Sequence, residues 1–334
     1  MKNPVPQKMT AVFINPENGN LFTKEVDVPI PQKGEVLIKM MAAPINPSDL
    51  AKAREITAEE AADFIPGIEG CGTVVAAGKG LMPRLFMGKR VACSSKYKTS
   101  GTWAEFMVTP AGSCFPVGKK ISSEQAAMTI VNPMTALAFL DYTLRNKHKA
   151  VVLTAAASAL AKMAVSLFGK HGIKVLSIVR SEESVMELKK LNQQHSLNSS
   201  EPDFQIKFRD WCSVENATLM FDAVGGEMVN QLLDQLPARS TIILYGSLSQ
   251  QKVEFLPPQL VRENKKIIGF FLGLWIHEQG MIKTILNLRK VNKMLRQGME
   301  TRVQAVFSLD DIQQAVELYE KNMGKGKVLL KAGI

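Results

Sequence analysis

Residues 150–180, AVVLTAAASALAKMAVSLFGKHGIKVLSIVR, constrain the fold more than any other stretch of this chain. Val151–Leu153 is a short apolar run with two β-branched residues. Ala159–Phe168 then carries apolar residues at helical spacing, and Lys174–Arg180 alternates as a strand. Strand, tight turn, helix, strand is the opening βαβ unit of a nucleotide-binding sheet. In such a unit the helix N-terminus offers free N–H groups and a positive dipole end to a pyrophosphate. The turn ordinarily uses glycine, so that the backbone bends sharply and approaches the phosphates. Here it reads Ala155, Ala156, Ala157, Ser158, Ala159, Leu160, Ala161, with no glycine.

At 334 residues the chain is long enough for two domains with filled cores. Its apolar fraction of 46% and charged fraction of 22% are those of a soluble globular protein and exclude a disordered or fibrous one. The longest apolar run, Ile267–Ile276, is about half of the ~20 residues that span a bilayer, so it predicts a buried strand and no membrane span. MKNPVPQKM shows neither an apolar signal core nor an amphipathic import helix. Cys71, Cys93, Cys114 and Cys212 lie far apart without a CxxC. Isolated thiols suit a reducing, intracellular compartment, cytoplasm or mitochondrial matrix, and exclude a zinc cage of ordinary spacing. The formal charge of +10 is scattered over short clusters that do not interleave with aromatics. That predicts a solvated basic surface and no nucleic-acid site.

The first ~125 residues read as β-rich. Met9–Ile14, Glu35–Met41, Gly72–Ala77, Arg90–Ser94 and Trp103–Val108 are strand-like runs between Pro, Gly and Asn signals. Ser122-Ser-Glu-Gln125 resembles a capping box before a helix, and Pro133–Leu144 is a second helical stretch. After the βαβ unit, strands are expected at Leu219–Val224, Thr241–Ser247 and Lys266–Gly273. Helices are expected near Ser184–Leu191, Glu227–Leu236 and Gly280–Arg296. This alternation predicts an α/β fold with a doubly wound parallel sheet. Asn192–Asp210 is polar and carries no clear pattern. Val303–Ser308, a helix over Leu309–Asn322 and Lys327–Leu330 read as a return to the first domain.

Eight motifs in order carry a resemblance over nearly the whole chain. They are Ala43-Pro-Ile-Asn-Pro-Ser-Asp-Leu50, Pro66-Gly-Ile-Glu-Gly-Cys-Gly72, Gly101-Thr-Trp-Ala-Glu-Phe106, Val131-Asn-Pro-Met-Thr-Ala136, Phe221-Asp-Ala-Val-Gly-Gly-Glu227, Leu244-Tyr-Gly-Ser247, Ile268-Gly-Phe-Phe271 with Trp275, and Gly326-Lys-Val-Leu-Leu330. The sequence resembles the zinc-free branch of the medium-chain dehydrogenase/reductases, the quinone oxidoreductase and enoyl-thioester reductase group. The resemblance implies a GroES-like, β-rich substrate domain from residues 1–125 with 300–334. It also implies a Rossmann domain over 126–299 and NADPH as cofactor. Zinc-dependent relatives carry Cys near Asn46 and His where this chain has Ile68, so a zinc-alkoxide mechanism is not expected. What remains is hydride delivery to an activated C=C bond of a small-molecule substrate, with negative charge developing on a carbonyl oxygen.

By the same resemblance Asn46 and Thr135 are the candidate catalytic residues. Asn132, Ser158, Ala159, Leu160, Arg180, Tyr245, Gly246 and Lys327 are the candidates for cofactor binding. Each has a structural reading beside the functional one. Asn46 can be a turn residue ahead of a helix, and Asn132 and Thr135 an N-cap with a buried Thr. Arg180 and Lys327 can be solvated cations. Arg at the end of the second strand suits the 2′-phosphate of NADP, where an acidic residue would bind the ribose of NAD. Gly246 reads as a close-approach position.

The pattern departs from the family twice. Relatives commonly read GAAGGVG at Ala155–Ala161, and each Ala adds a methyl that hinders close approach and positive φ. Ser158 offsets this in part, since its hydroxyl can donate to a phosphate oxygen. Enoyl-thioester reductases also carry a Tyr shortly after the NPSD motif, and Leu50–Ile65 has none. Two readings therefore stand: an NADPH-dependent reductase, and a catalytically silent homologue serving as a subunit of a larger assembly. The apolar strand near Lys266–Ile276 would be an exposed edge unless covered, and the family implies a homodimer through it.

Overall fold

The computed structural model describes residues 5–333 and divides the chain into two units, Met1–Val131 with Leu286–Ile334, and Asn132–Ile285. In the first unit, Lys8–Ile14 and Leu21–Asp27 pair antiparallel in a two-stranded sheet, from Lys8 opposite Asp27 to Ile14 opposite Leu21. A seven-stranded sheet follows the order Val303–Ser308, Lys327–Lys331, Glu35–Pro44, Glu69–Ala77, Arg90–Ser94, Cys114–Pro116, with Phe106–Pro110 paired to Glu35–Pro44. The central strand Glu35–Pro44 is buried on both faces at Val36–Ile38 and again at Ala42–Pro44, and only its middle alternates, with Lys39 and Met41 exposed and Met40 buried. The C-terminal segment enters this sheet through Lys327–Lys331, whose Leu329 and Leu330 pair with Pro44 and Ala43. Gln125 also ties the chain ends together: its Nε2 donates to Thr301 O (2.8 Å) and its Oε1 accepts from Thr301 N (3.0 Å).

The second unit is a six-stranded parallel sheet. Its order is Ser196–Asn198, Lys174–Val179, Ala150–Leu153, Leu219–Asp222, Thr241–Leu244, Lys266–Gly269. Numbered along the chain, that is 3-2-1-4-5-6, so the winding reverses between Ala150–Leu153 and Leu219–Asp222. Central strands buried on both faces should be continuously apolar, and Ala150–Leu153 and Leu219–Asp222 are buried at every position. Phe139, on the helix Val131–Arg145, stacks on Phe221 at 4.1 Å and meets Tyr245 and Phe270 edge-on at 4.9 and 5.4 Å.

Several expectations change. Ser122 caps its helix by accepting from Gln125 N, but no reciprocal box forms, because the Gln125 side chain is committed to Thr301. The run Ile267–Ile276 is not one buried strand. The strand ends at Gly269 and a helix spans Leu272–Arg296, kinked at Gly280 (φ 76°), with Phe271 74% exposed. A short apolar run does not distinguish strand from helix by period. The polar stretch Asn192–Asp210 supplies the edge strand Ser196–Asn198 and most of the helix Phe204–Val214, which buries Phe204, Phe208 and Cys212. Among the described residues no helix is long and apolar enough to cross a membrane.

Phe139→Ala should destabilise the second unit by about 3–5 kcal/mol, the cost of deleting a fully buried aromatic. Urea unfolding followed by circular dichroism measures it, and a loss below about 1 kcal/mol would show that the cluster is not core.

Candidate active site

Parallel strands place all their C-terminal ends on one edge, and ligands of doubly wound sheets bind there, at the reversal of winding. Four loops meet this edge side by side: Arg180 after Lys174–Val179, Thr154–Ser158 after Ala150–Leu153, Ala223–Gly225 after Leu219–Asp222, and Tyr245–Ser247 after Thr241–Leu244. The glycine-free turn still bends as a glycine turn would. Ala155 adopts φ 47°, Ala156 is buried with its N–H on Ile178 O (3.0 Å), and Ser158 N donates to Ala155 O (2.9 Å). Ser158 is the N-cap of the helix Ala159–Lys170, its Oγ accepting from Ala161 N at 3.2 Å. That bond leaves the hydroxyl proton free to donate. Among the described residues the N–H groups of Ala159 and Leu160 have no protein acceptor, and both residues are only half-buried. A turn of this shape fits an anionic group through two amides, one hydroxyl and the dipole end.

The loop beside it is fixed from below. Buried Thr154 donates Oγ1 to Asp222 Oδ1 (2.6 Å) and accepts from Ala223 N (2.9 Å), while Asp222 Oδ2 accepts from Gly225 N (2.6 Å). Burial pushes the Asp222 carboxyl up, against the pull of Thr154 and the Gly225 amide. Gly225 and Gly226 both hold positive φ, 72° and 54°. A Cβ on Gly246 would fall 2.8 Å from Ala223 O, so this position does require the missing side chain, for contact between loops. The Tyr245 side chain turns into the aromatic cluster instead of toward the edge, and burial raises its phenol. Arg180 is exposed at its strand end, and its carbonyl accepts from Ser200 Oγ (3.0 Å). Asn132 and Thr135 are buried three residues apart on one face of the first turns of Val131–Arg145.

Asn46 and Lys327 come together in the first unit, although 281 positions separate them. Asn46 is the N-cap of the helix Pro47–Glu55, and Asp49 Oδ2 accepts from its N–H at 2.8 Å. The Asn46 side chain is buried between two charges. Its Oδ1 accepts from Lys327 Nζ, and its Nδ2 donates to Glu69 Oε1 at 3.2 Å. Lys327 Nζ also donates to Ile45 O (3.2 Å) and lies 5.7 Å from the Tyr319 ring centroid. Glu69 Oε2 accepts from Ile130 N (3.0 Å) and Val131 N (2.9 Å), and Asp49 Oδ1 accepts from Ile68 N (2.8 Å). Burial pushes Asp49 up to about 7 and raises Glu69, while it lowers Lys327 to about 8 against the pull of both carboxylates. An amide nitrogen has two protons, so Asn46 keeps one N–H beyond its bond to Glu69.

The sequence singles out Asn46 and Lys327, and Asp49 as a residue through which Asn46 can cap its helix, but not Glu69 as the partner that joins them. Both carboxylates stand inside the quoted motifs, and an acid within an apolar, glycine-rich stretch is the signal that a charge is to be buried and paired. Thr154 and Asp222, which brace the loop beside Ser158, were likewise missed. Only the parallel pairing of their strands makes them neighbours.

Fold and site together define a two-unit α/β protein with a nucleotide-type edge and a buried polar centre in its β-rich unit. Residues 32–119 match the alcohol dehydrogenase GroES-like domain, and residues 159–288 match the zinc-binding dehydrogenase family. The chain is similar to a Mesorhizobium loti protein described as an NADPH:quinone reductase, with 30% identity, 98% of this chain and 100% of that one covered, and a TM-score of 0.90. It is 27% identical over 289 residues to the mitochondrial enoyl-acyl-carrier-protein reductase of Arabidopsis thaliana, covering 83% of this chain and 75% of that protein. Mouse prostaglandin reductase-3 is 25% identical over 342 residues, covering 97% and 89%. The chain belongs to the medium-chain dehydrogenase/reductase family of oxidoreductases, in its quinone and enoyl reductase branch.

Two measurements test this geometry. Ala155→Gly should stabilise the protein by about 1 kcal/mol, because it removes the steric cost of a left-handed Ala. Unchanged or lower stability in urea would show that the turn is relaxed as it stands. The buried charges predict a valley in stability against pH. Asp49 titrates higher folded than unfolded, so stability declines as pH rises from about 4 through about 7, and Glu69, also raised by burial, acts in the same direction. Lys327 titrates lower folded than unfolded, so stability recovers from about pH 8 toward about 10.5. Lys327→Met should abolish the upper recovery in urea titrations, and a recovery that survives the substitution assigns it to another group.

Proposed function

We propose that this protein is a metal-free, NADPH-dependent reductase that delivers hydride to the C=C bond of an α,β-unsaturated carbonyl, enoyl thioester or quinone. The observation that carries this reading is the turn Ala155–Leu160. It keeps a phosphate-holding shape without glycine and leaves two helix amides and the Ser158 hydroxyl uncommitted at the reversal of winding. Ser158, Ala159 and Leu160 would hold the pyrophosphate, and the Gly246 loop would pass beside it. Arg180, exposed and with the Ser181 and Ser200 hydroxyls as near neighbours, suits the 2′-phosphate of NADPH. When bound, NADPH supplies the hydride. Asn132 and Thr135 would line the nicotinamide.

In the first unit Asn46 is held rigid at both ends of its amide, which leaves one N–H oriented to donate to a carbonyl oxygen as negative charge develops there. Lys327 on Oδ1 polarises that amide and makes the N–H a better donor. The side chains at 46 and 68 are Asn and Ile, so charge on the substrate would be met by hydrogen bonds. The reading extends to assembly and compartment. Lys266–Gly269 is the outer strand of its sheet, and Ile268 and Phe271 beside it are exposed, so a second copy joining this edge would cover them. Four free cysteines, all buried, suit a reducing compartment, cytoplasm or mitochondrial matrix.

Calorimetric titration with NADPH and NADH tests the cofactor. NADPH should bind the more tightly, and Arg180→Ala should erase about tenfold of that preference, the worth of one charge-assisted bond. Absence of binding at about millimolar NADPH would sink the reductase and leave a catalytically silent subunit. NADPH oxidation with enoyl-thioester, enone and quinone substrates then identifies the acceptor.

A further inference from the structure

The short helix Leu81–Phe86 turns aliphatic side chains outward. Leu81 is 77% exposed and Leu85 58%, four residues apart on one face, and Met82 beside them is exposed too. Its other side is anchored, with Pro83 buried and Phe86 packed on the core. A surface helix ordinarily turns polar residues outward, whereas this one is apolar on its outer face as well as its inner one. Ile30, 79% exposed, belongs to the same corner. Its loop is hydrogen bonded to the chain leading into the helix, with Gly34 N donating to Lys79 O at 2.8 Å and Gly78 N to Glu35 O at 2.9 Å. Gly78 lies so close to that loop that a Cβ would fall 1.7 Å from Gln32 O.

Around these aliphatic tips the exposed charge is mainly positive. Residues 78–104 contain six basic residues and no acidic one. Lys33, Lys79, Arg84 and Lys89 are exposed, and among the described residues none forms an ion pair. Lys89 Nζ lies 5.8 Å from the Phe86 ring centroid. Of the carboxylates nearest in the chain, Glu35 is half-buried and bonded to neutral donors, and Asp27 is paired. Glu35 accepts from Gln32 N and Tyr97 Oη, and Asp27 pairs with Lys8.

We propose that this corner docks on an anionic lipid bilayer, with Leu81, Met82, Leu85 and Ile30 entering the headgroup boundary and Lys33, Lys79, Arg84 and Lys89 facing lipid phosphates. Aliphatic tips within a ring of unpaired cations match the two attractions that hold peripheral proteins on membranes. A second copy does not match, since twofold pairing would set this unpaired positive charge against itself. A protein partner is met more often through aromatic anchors, whereas the tips Leu81, Met82, Leu85 and Ile30 are all aliphatic and the nearby Tyr97 is tied to Glu35 through its Oη.

Co-sedimentation of the full chain with phosphatidylcholine vesicles, with and without phosphatidylserine, tests this. Binding is expected to the anionic vesicles, at least tenfold weaker on phosphatidylcholine alone, and lost at about 1 M salt, where charges are screened within about 3 Å. Leu81→Ser with Leu85→Ser, and separately Lys79→Glu with Lys89→Glu, should each weaken binding at least tenfold. Circular dichroism and the urea midpoint of each variant should match the parent, and the exposed positions make that attainable. Absence of vesicle binding overturns the proposal, including the case in which poly-glutamate binds the corner instead. Binding unchanged in both folded variants overturns it as well. So does a halved mass for Leu81→Ser with Leu85→Ser in light scattering, which would give the face to a second copy.

Discussion

In the β-rich unit, one buried lysine holds together segments that the chain places hundreds of residues apart. Lys327 arrives on the last strand and donates to Ile45 O and to Asn46, which in turn donates to Glu69. Glu69 then gathers the amides of Ile130 and Val131. Two carboxylates and one ammonium in an apolar interior leave one excess negative charge, which favours a proton on one of the acids near neutrality. A buried ion group is weak evidence of net stability, because desolvation offsets the attraction. Its effect here is on specificity. Removing Lys327 leaves two buried carboxylates with no cation, so the C-terminal strand has one register in which the others are satisfied. The same arrangement immobilises Asn46, the residue on which the proposed chemistry in this unit depends.

The second unit solves a different problem. A parallel sheet brings loops to one edge with their amides pointing outward, and the edge is useful only if the loops hold still. Thr154 and Asp222 supply that rigidity through four short polar contacts beneath the surface. Tyr245 contributes by packing, its backbone N–H on Asp222 O and its ring on Phe139. Ala155 pays a conformational cost that glycine would avoid, yet the surrounding bonds of Ala156 and Ser158 keep the turn in shape.

The elements best legible in the sequence are those with strong local signals. The helix Ala159–Lys170 and the strand Lys174–Val179 follow from period alone, and the core strands follow from β-branched runs between turns. The strand Leu21–Asp27 carries no clear signal in the sequence, because LFTKEVD buries little of itself and pairs only with Lys8–Ile14. The helix Phe204–Val214 was hidden by its polar outer face, although Phe204, Phe208 and Cys212 mark the inner one at four-residue spacing. At Ile267–Ile276 the apolar run was visible and its form was not, because strand and helix use the same residues when the run is short. Gln125 shows the opposite case. The local motif was read correctly as a cap, but a distant partner at Thr301 took the side chain that would have closed the box.

By itself the sequence determined the class of fold, the two-part organisation and the family, because those are written in periodicity and in eight ordered motifs. It also determined that the first turn lacks glycine. Tertiary structure decided what that turn does about it: Ala155 takes the left-handed conformation because Ala156 and Ser158 are tethered around it. It also decided the company of Asn46, since Glu69 and Lys327 reach it only when strands far apart in the chain are laid side by side, whereas Asp49 is its neighbour in the first helical turn. The physical reason is the range of the forces involved. Period and turn chemistry act over a few residues, whereas burying a charge demands partners from wherever the fold can bring them.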